Sequence, residues 1–352
     1  MSEATSSPLR VEPLKASHFS ILASIKPSTR VGWLQLMLVS NWLAQAERNM
    51  PNLLPATKPF CLVALEYEKP IALIVARPCN RSGTCWSVNY PALLADPKEC
   101  SLSLIRKNLL QKALEYEKKR AQSWLIRCST NNENNLSLAR ELGFQALKFF
   151  NCWLPASASN KSVKGEVEKV SYEDTGLQWQ ELNNENANHL WRLEQRSESS
   201  QLRQILDRNW RDLLEPKEPG NKVLISNSEA QSTAIAGLIC RNWCEDKVAI
   251  ELVRDIAWDA RISSRIIDSI LKDLINSSKS LSLETSRDDT QLTQLLSQIG
   301  WNWECESVLL GRSFWRRQDS RKSIKGTKSL ESMLGRLNPQ TPPLPTPSLG
   351  PR

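Results

Sequence analysis

The spacing of apolar residues along the chain predicts helices and strands in a fixed order. An alternating segment at 124–128 predicts a half-buried strand. Thr130 and Glu133 have the spacing of a capping box and predict a helix that ends at Gly143, followed by a strand at 147–154. The helix before the first strand is predicted from apolar residues that recur every three or four positions: Leu102, Ile105, Leu109, Ala113.

The same order returns further along the chain after a constant shift of 157 residues, which places Trp124 on Leu281. The second copy has an alternating strand at 281–285, a capping-box pattern from Ser286, a helix that ends at Gly300 and a strand at 307–313. Its first helix again has an apolar face: Ile262, Ile266, Ile270, Leu274. The chain is therefore predicted to contain one unit twice.

Two strand hairpins are predicted upstream of these elements. In the first half, Phe60–Glu66 pairs with Ile71–Ala76, and in the second half Lys222–Ser226 pairs with Ala234–Arg241. Each half then has an α/β fold with a mixed, mostly antiparallel sheet flanked by helices.

Composition shifts predict the domain boundaries. The small, polar stretch that begins at Pro155 predicts a linker at 155–169, between domains at 1–154 and 170–315. The proline-rich end predicts an unpacked tail at 316–352. The apolar run at 31–46 is interrupted by polar residues and predicts a buried helix rather than a membrane span.

Charge and cysteine content narrow the functional classes. The net charge is +8, and residues 316–352 hold eight basic and two acidic side chains, so the folded part is near neutral. Nucleic acid is then expected only through the tail. Nine cysteines without a C-x-x-C motif, two histidines and a non-apolar N-terminus predict a cytoplasmic protein with free thiols, no metal and no membrane segment.

The residues that end the first unit resemble a known family. NNENNLSLARELGF, residues 131–144, resembles the strand-to-helix segment of the GNAT N-acetyltransferases, and residues 9–19 resemble that family's opening strand and helix. The resemblance covers about 9–154 and, more faintly, 170–315. It implies two GNAT-like domains in tandem.

The resemblance implies acetyl-CoA, or another acyl-CoA, as co-substrate, with its diphosphate on a strand-to-helix turn. The matching turns are 96–105 and 258–265, and neither contains glycine. Arg261, Ser263 and Ser264 are the candidate phosphate ligands in the second turn, with Ser101 and Ser103 as the alternative in the first. Asn132 matches a cofactor-contacting asparagine, although its position also suits a helix cap.

The resemblance assigns no catalytic residue. The family's tyrosine acid falls on Ala139 and Leu296, and Glu251, Asp255 and Tyr90 stay open as possible bases. The sequence therefore predicts an N-acyltransferase-like protein that acylates the amine of an unknown small molecule or protein. Loss of both glycine turns and both tyrosines leaves a non-catalytic tandem scaffold or binding module as the alternative.

Overall fold

The computed structural model describes residues 9–18, 59–116, 121–155, 176–214, 221–227, 232–241, 248–255, 262–277 and 281–314. The predicted helix at 31–46, the tail at 316–352 and nearly all of the predicted linker lie outside these ranges. The helix faces and alternating strands that the sequence predicts form an α/β structure with six α-helices and thirteen strands in the described residues.

The first half has seven strands and two α-helices in the described residues. They are, in chain order, β1 (Leu9–Pro13), β2 (Phe60–Glu66), β3 (Lys69–Pro78), β4 (Cys85–Val88), β5 (Ala92–Leu93), α1 (Leu102–Tyr116), β6 (Ser123–Ser129), α2 (Glu133–Glu141) and β7 (Gln145–Pro155). A short 3-10 helix at Ala16–His18 follows β1.

The second half repeats this series, and two helices are described between its first two strands. Its elements are β8 (Leu177–Glu181), α3 (Ala187–Ser197), α4 (Ser200–Leu206), β9 (Lys222–Asn227), β10 (Ser232–Arg241), β11 (Val248–Arg254), α5 (Ser264–Ser277), β12 (Leu281–Ser286), α6 (Thr290–Gln298) and β13 (Trp301–Ser313). A 3-10 helix at Trp210–Leu214 precedes β9.

All thirteen strands belong to one sheet, because the two halves exchange their last strands and their sheets become continuous. The strand order is β1-β2-β3-β4-β6-β13-β7-β12-β11-β10-β9-β8, with β5 beside β3. The last strand of each half has crossed into the other half, so that β13 pairs with β6 and β7 pairs with β12, both antiparallel. The halves are thereby joined through their final strands.

The register of the exchanged strands agrees with the repeat in the sequence. Ser307 of β13 pairs with Ser129 of β6, and Phe150 of β7 pairs with Ser286 of β12. In the repeat, Ser307 corresponds to Phe150 and Ser129 corresponds to Ser286, each by a shift of 157 residues, so the two pairs are equivalent. At the centre, Phe150 pairs with Ser307, its own counterpart in the repeat.

Burial repeats with the same shift on the first helix of each half. Helix α1 and the segment that enters α5 bury matching residues against opposite ends of the sheet: Ile105, Leu109, Leu110, Ala113, Leu114 and Ile262, Ile266, Ile267, Ile270, Leu271. These residues centre the two main apolar cores. Helices α3 and α4 cover the other face of the sheet, where α4 packs across the exchanged strands.

The helix caps correct one detail of the prediction. The capping boxes at Thr130 and Ser286 are wrong, because the N-cap residues are Asn132 and Asp289, whose side chains accept from the third residue beyond. Thr130 instead donates its hydroxyl to Glu306 O at 3.1 Å. Asn132 lies two residues nearer its helix than Thr130, and Asp289 lies three residues nearer than Ser286, so their side chains reach the free N–H groups. Asparagine and aspartate are among the best N-cap residues.

Candidate functional site

The fold contains two places where neighbouring parallel strands separate, one in each half. In the first half, β4 and β6 stay paired only as far as Val88 and Ile126. In the second half, β11 and β12 stay paired as far as Glu251 and Glu284, and both strands continue beyond that point. Backbone groups that face such a gap have no partner in the opposite strand, so each gap is a candidate binding cleft.

A carboxylate of the chain itself occupies the turn before α1 in the first half. Glu66, at the end of β2, accepts backbone N–H groups from Lys98 at 2.8 Å and from Glu99 and Cys100 at 3.0 Å each. These hydrogen bonds lower the pKa of Glu66 to about 2, and the side chain is buried. The N–H groups of Lys98, Glu99 and Cys100 are therefore already satisfied, and the Glu66 carboxylate repels a phosphate from this turn.

The gap of the first half is also bridged. The hydroxyl of Tyr90, two residues past the end of β4, donates to Asn135 O in the first turn of α2 at 2.8 Å. Burial raises the pKa of Tyr90. Only the phenolate form of tyrosine is an effective base, and the raised pKa keeps the Tyr90 hydroxyl protonated, so this arrangement does not suit Tyr90 to that role.

The second half lacks the internal carboxylate at the corresponding position. Leu9 pairs with Glu66 in β1–β2, and Leu177 pairs with Ser226 in β8–β9, so Ser226 is the counterpart of Glu66. Helix α5 begins beside Ser263 and Ser264, and its first backbone bond runs from Ile267 N to Ser263 O at 3.3 Å. Ser263 is exposed and Ser264 half-buried, and the third candidate, Arg261, lies outside the described residues.

Glu251 stands where the second pair of strands separates. Its side chain is 2% exposed, and Lys148 Nζ lies 2.7 Å from its Oε1 and 2.5 Å from Oε1 of Glu198. Burial lowers the pKa of Lys148, but the attraction of both carboxylates outweighs burial, so its pKa is raised. The ammonium group thus keeps its charge and favours the ionised form of both acids.

This cluster combines three parts of the chain. Glu251 comes from β11, Lys148 from the exchanged strand β7, and Glu198 from the junction of α3 and α4. By strand register the first-half counterpart of Glu251 is Asn89, because Val88 pairs with Ile126 as Ile250 pairs with Leu283. A carboxylate at the separation point is therefore specific to the second half.

The remaining candidates around this gap have ion-pair partners. Asp255, at the end of β11, lies 2.8 Å from Arg196 Nη2. Arg254 crosses the wide end of the gap and binds Asp289, the α6 N-cap, through Nε at 2.5 Å and Nη2 at 2.7 Å. This ion pair occupies the same place in the second half as the Tyr90 bridge in the first.

The candidates of the first half have structural partners. The side-chain oxygen of Asn132 accepts from Asn135 N at 3.1 Å, as its alternative role in helix capping requires. Ser101 accepts from Leu104 N at 3.3 Å and lies 3.2 Å from the hydroxyl of Ser103. Ala139 is buried against the first core.

Sequence reasoning singled out neither Glu66 nor Lys148. A glutamate at the end of a strand and a lysine in an alternating strand are usually surface residues. The exchange of β7 brings Lys148 to Glu251, and no local pattern reports that exchange.

Two classes of site can be assessed in the described ranges. There, no group of three or more His, Cys, Asp or Glu side chains is placed to hold a metal ion. Among the helices in those ranges, none is long and apolar enough to cross a membrane.

Comparisons with known proteins give structural neighbours only. The sequence matches no protein-family model, and a search of curated proteins finds no match. A fungal multi-domain GH3 β-N-acetylglucosaminidase with a GCN5-related glucosamine N-acetyltransferase region aligns with a TM-score of 0.51 at 11% identity, over 88% of this chain and 38% of its own.

Two further structures align over most of both chains. A tandem GNAT protein from the clavulanic acid biosynthesis pathway covers 87% of this chain and 98% of its own, with 12% identity and a TM-score of 0.47. A GCN5-related N-acetyltransferase from Sphaerobacter thermophilus covers 88% and 96%, with 10% identity and a TM-score of 0.46. The predicted fold class is confirmed: the chain has the GNAT fold in two tandem, strand-exchanged copies.

Proposed function

We propose that the protein is an N-acyltransferase that uses an acyl-CoA, and that the second half holds the reaction site. The observation that supports this assignment is the difference between the halves. The first half fills its anion-binding turn with Glu66 and has Asn89 at the separation point, whereas the second half has Ser226 and Glu251 in these positions. The Glu66 carboxylate repels an anionic co-substrate from the turn of the first half, whereas the second half has the neutral Ser226 at the corresponding position.

Ser263 and Ser264 would hold the diphosphate, because the first N–H groups of a helix such as α5 have no partner within the helix and lie at the positive end of its dipole. The thioester supplies the acyl group. Glu251 takes the proton from the acceptor amine, since it is the last paired residue before the gap and its carboxylate is kept ionised by Lys148. Asp255 is four residues, roughly 13 Å, further along the strand and is held by Arg196.

The reaction then needs few groups. The amine nitrogen bonds to the acyl carbon while the carbon–sulfur bond breaks, and Glu251 takes the proton that the nitrogen loses. The leaving thiolate takes up a proton from water and becomes the free thiol of CoA. Lys148 positions the Glu251 carboxylate from the side of β7. Burial of this cluster lowers the local dielectric and strengthens the interaction between the two groups.

Calorimetric titration with acetyl-CoA tests the binding site. Ser264→Asp places a carboxylate at the α5 N-terminus, where it favours the helix but repels a diphosphate, and we expect binding to weaken at least tenfold. Ser101→Asp is the matched control at the N-terminus of α1, and its affinity should equal that of the wild type. Absence of binding at millimolar acetyl-CoA would reject the proposal in favour of a non-catalytic scaffold.

A second experiment tests the proton acceptor. Release of free CoA thiol is followed with a panel of amines for the wild type, Glu251→Gln and Asp255→Asn. Glu251→Gln should lower kcat by roughly 100-fold or more, the usual contribution of a positioned base, with acetyl-CoA affinity unchanged. A larger loss in Asp255→Asn than in Glu251→Gln would move the role to Asp255.

A further inference from the structure

A cavity of about 520 Å³ opens on the α3 side of the second half. Helix α3 and the start of β10 form its walls, and the lining residues are His189, Arg192, Arg196, Ser232, Thr233 and Ala234. Because His189, Arg192 and Arg196 recur at three and four positions, they lie along one side of the helix. The wall formed by α3 is therefore basic.

Two of these basic side chains are available for a ligand. Arg192 is exposed and His189 is half-buried, and within the part of the chain that the structure describes neither side chain has a hydrogen-bond or ion-pair partner. Two acids of the described residues, Asp255 and Glu185, lie nearby. Asp255 is paired with Arg196, and Glu185 lines an adjoining recess that also includes His189.

The cavity adjoins the proposed reaction site through Arg196. This side chain donates to Ala234 O at 3.1 Å and contacts Asp255 at 2.8 Å, so it separates the cavity from the end of β11. Asp255 directly follows β11, and beyond Glu251 this strand borders the gap. An acceptor with one end in the cavity therefore lies beside the end of the strand that borders the gap.

We propose that this cavity binds an anionic group, a carboxylate or a phosphate, of the acceptor amine. The assignment of that group to the acceptor rests on the proposed function, whereas anion binding by the cavity does not. Arg192 supplies the principal contact, because a guanidinium group matches the geometry of both anions through paired N–H donors. His189 and the hydroxyl of Thr233 supply further donors from the neighbouring walls.

Binding of inorganic phosphate tests the cavity by itself. The full-length protein is titrated with phosphate at constant ionic strength, with chloride as the balancing ion, and binding is followed by calorimetry and thermal shift. Arg192→Gln should weaken phosphate binding about tenfold, the typical effect of losing a charged hydrogen bond. The matched control is Arg140→Gln, which removes an exposed arginine from α2 and should leave binding unchanged.

Matched acceptor pairs test the link to catalysis and separate the two anions. Phosphoethanolamine is compared with ethanolamine, and β-alanine with its amide, in the thiol-release assay with acetyl-CoA. We expect the anionic member of at least one pair to react with a kcat/KM about tenfold higher in the wild type and in Arg140→Gln. Arg192→Gln should remove this preference by raising the KM of the anionic member.

The outcomes separate the two proposals. No phosphate binding by the wild type, or equal losses in Arg192→Gln and Arg140→Gln, would overturn the anion site. Phosphate binding that depends on Arg192, in a protein that does not bind acetyl-CoA, would support the site and reject the acyltransferase proposal. Turnover of neutral and anionic amines at equal rates in all three proteins would overturn the acceptor assignment.

Discussion

The buried pair between Arg127 and Glu284 provides a direct test of how the two halves are held together. The two residues are counterparts in the repeat, since 284 − 127 = 157, and they carry opposite charges. Arg127 Nη1 lies 2.5 Å from Glu284 Oε2, and the side chains are only 10% and 6% exposed. The guanidinium group also donates to Ser307 Oγ at 3.1 and 2.9 Å and lies 4.1 Å from the centre of the Phe150 ring.

Replacing one partner leaves the other charge buried without its counter-ion. We therefore expect Arg127→Met to lower the free energy of unfolding by about 3–5 kcal/mol, and Glu284→Leu to have an effect of similar size. The double variant removes both charges and keeps much of the volume, so its loss should be no more than about 2 kcal/mol. The sum of the two single effects should thus exceed the effect of the double variant by at least about 4 kcal/mol.

Urea unfolding followed by tryptophan fluorescence and far-ultraviolet circular dichroism measures the four free energies of this cycle. The control cycle uses Lys107 and Glu141, an ion pair between α1 and α2 whose side chains are 42% and 52% exposed. Its coupling should stay below about 1 kcal/mol. If the effects of Arg127→Met and Glu284→Leu simply add, the buried pair does not couple the halves and the reasoning is wrong.

Three further predictions concern other parts of the sheet. Glu66→Gln should destabilise the protein at neutral pH, because the folded-state pKa of Glu66 is depressed. The difference from the wild type in the free energy of unfolding should be constant above the ordinary glutamate pKa of 4.5 and should disappear as the pH falls towards 2. Urea midpoints at several pH values measure this difference. Lys148→Met leaves Glu198 and Glu251 buried together, so unfolding should become about 3–5 kcal/mol easier at pH 7. The deficit should shrink as the pH falls, because a proton on either carboxyl removes the repulsion between them; a deficit that does not depend on pH in the same assay would contradict this. Gly143→Ala and Gly300→Ala should each cost about 1 kcal/mol, since both glycines have φ near +80° (81° and 86°), and clearly unequal thermal shifts would argue against their equivalence.

The sequence was sufficient to predict the repeated unit. The 157-residue shift places α2 (Glu133–Glu141) on α6 (Thr290–Gln298) and Gly143 on Gly300, and the structure gives those bounds and left-handed conformations at both glycines. Short-range rules reach this far because helix faces, strand alternation and a helix-ending glycine depend on neighbours in sequence.

Strand exchange is outside the reach of those rules for a physical reason. In an accurate repeat, the edge of β6 offers the same register to β7 and to β13, as the matching Ser307–Ser129 and Phe150–Ser286 pairs show. Local pattern therefore cannot distinguish a strand that returns to its own half from one that crosses. Whatever depends on the crossing is hidden too, including the contact of Lys148 with Glu251.

The exchange also gives a physical reason for keeping both halves that does not depend on ligand binding. The first half closes its own turn with Glu66, yet its last strand brings Lys148 to Glu251 and Arg127 lies against Glu284. Three buried carboxylates of the second half, Glu198, Glu251 and Glu284, thus have their cations on β6 and β7. Without these two strands those acids would lie together with no compensating charge and would have to take up protons. The first half therefore supplies the cations that compensate these three acids, and this role does not require it to bind any ligand.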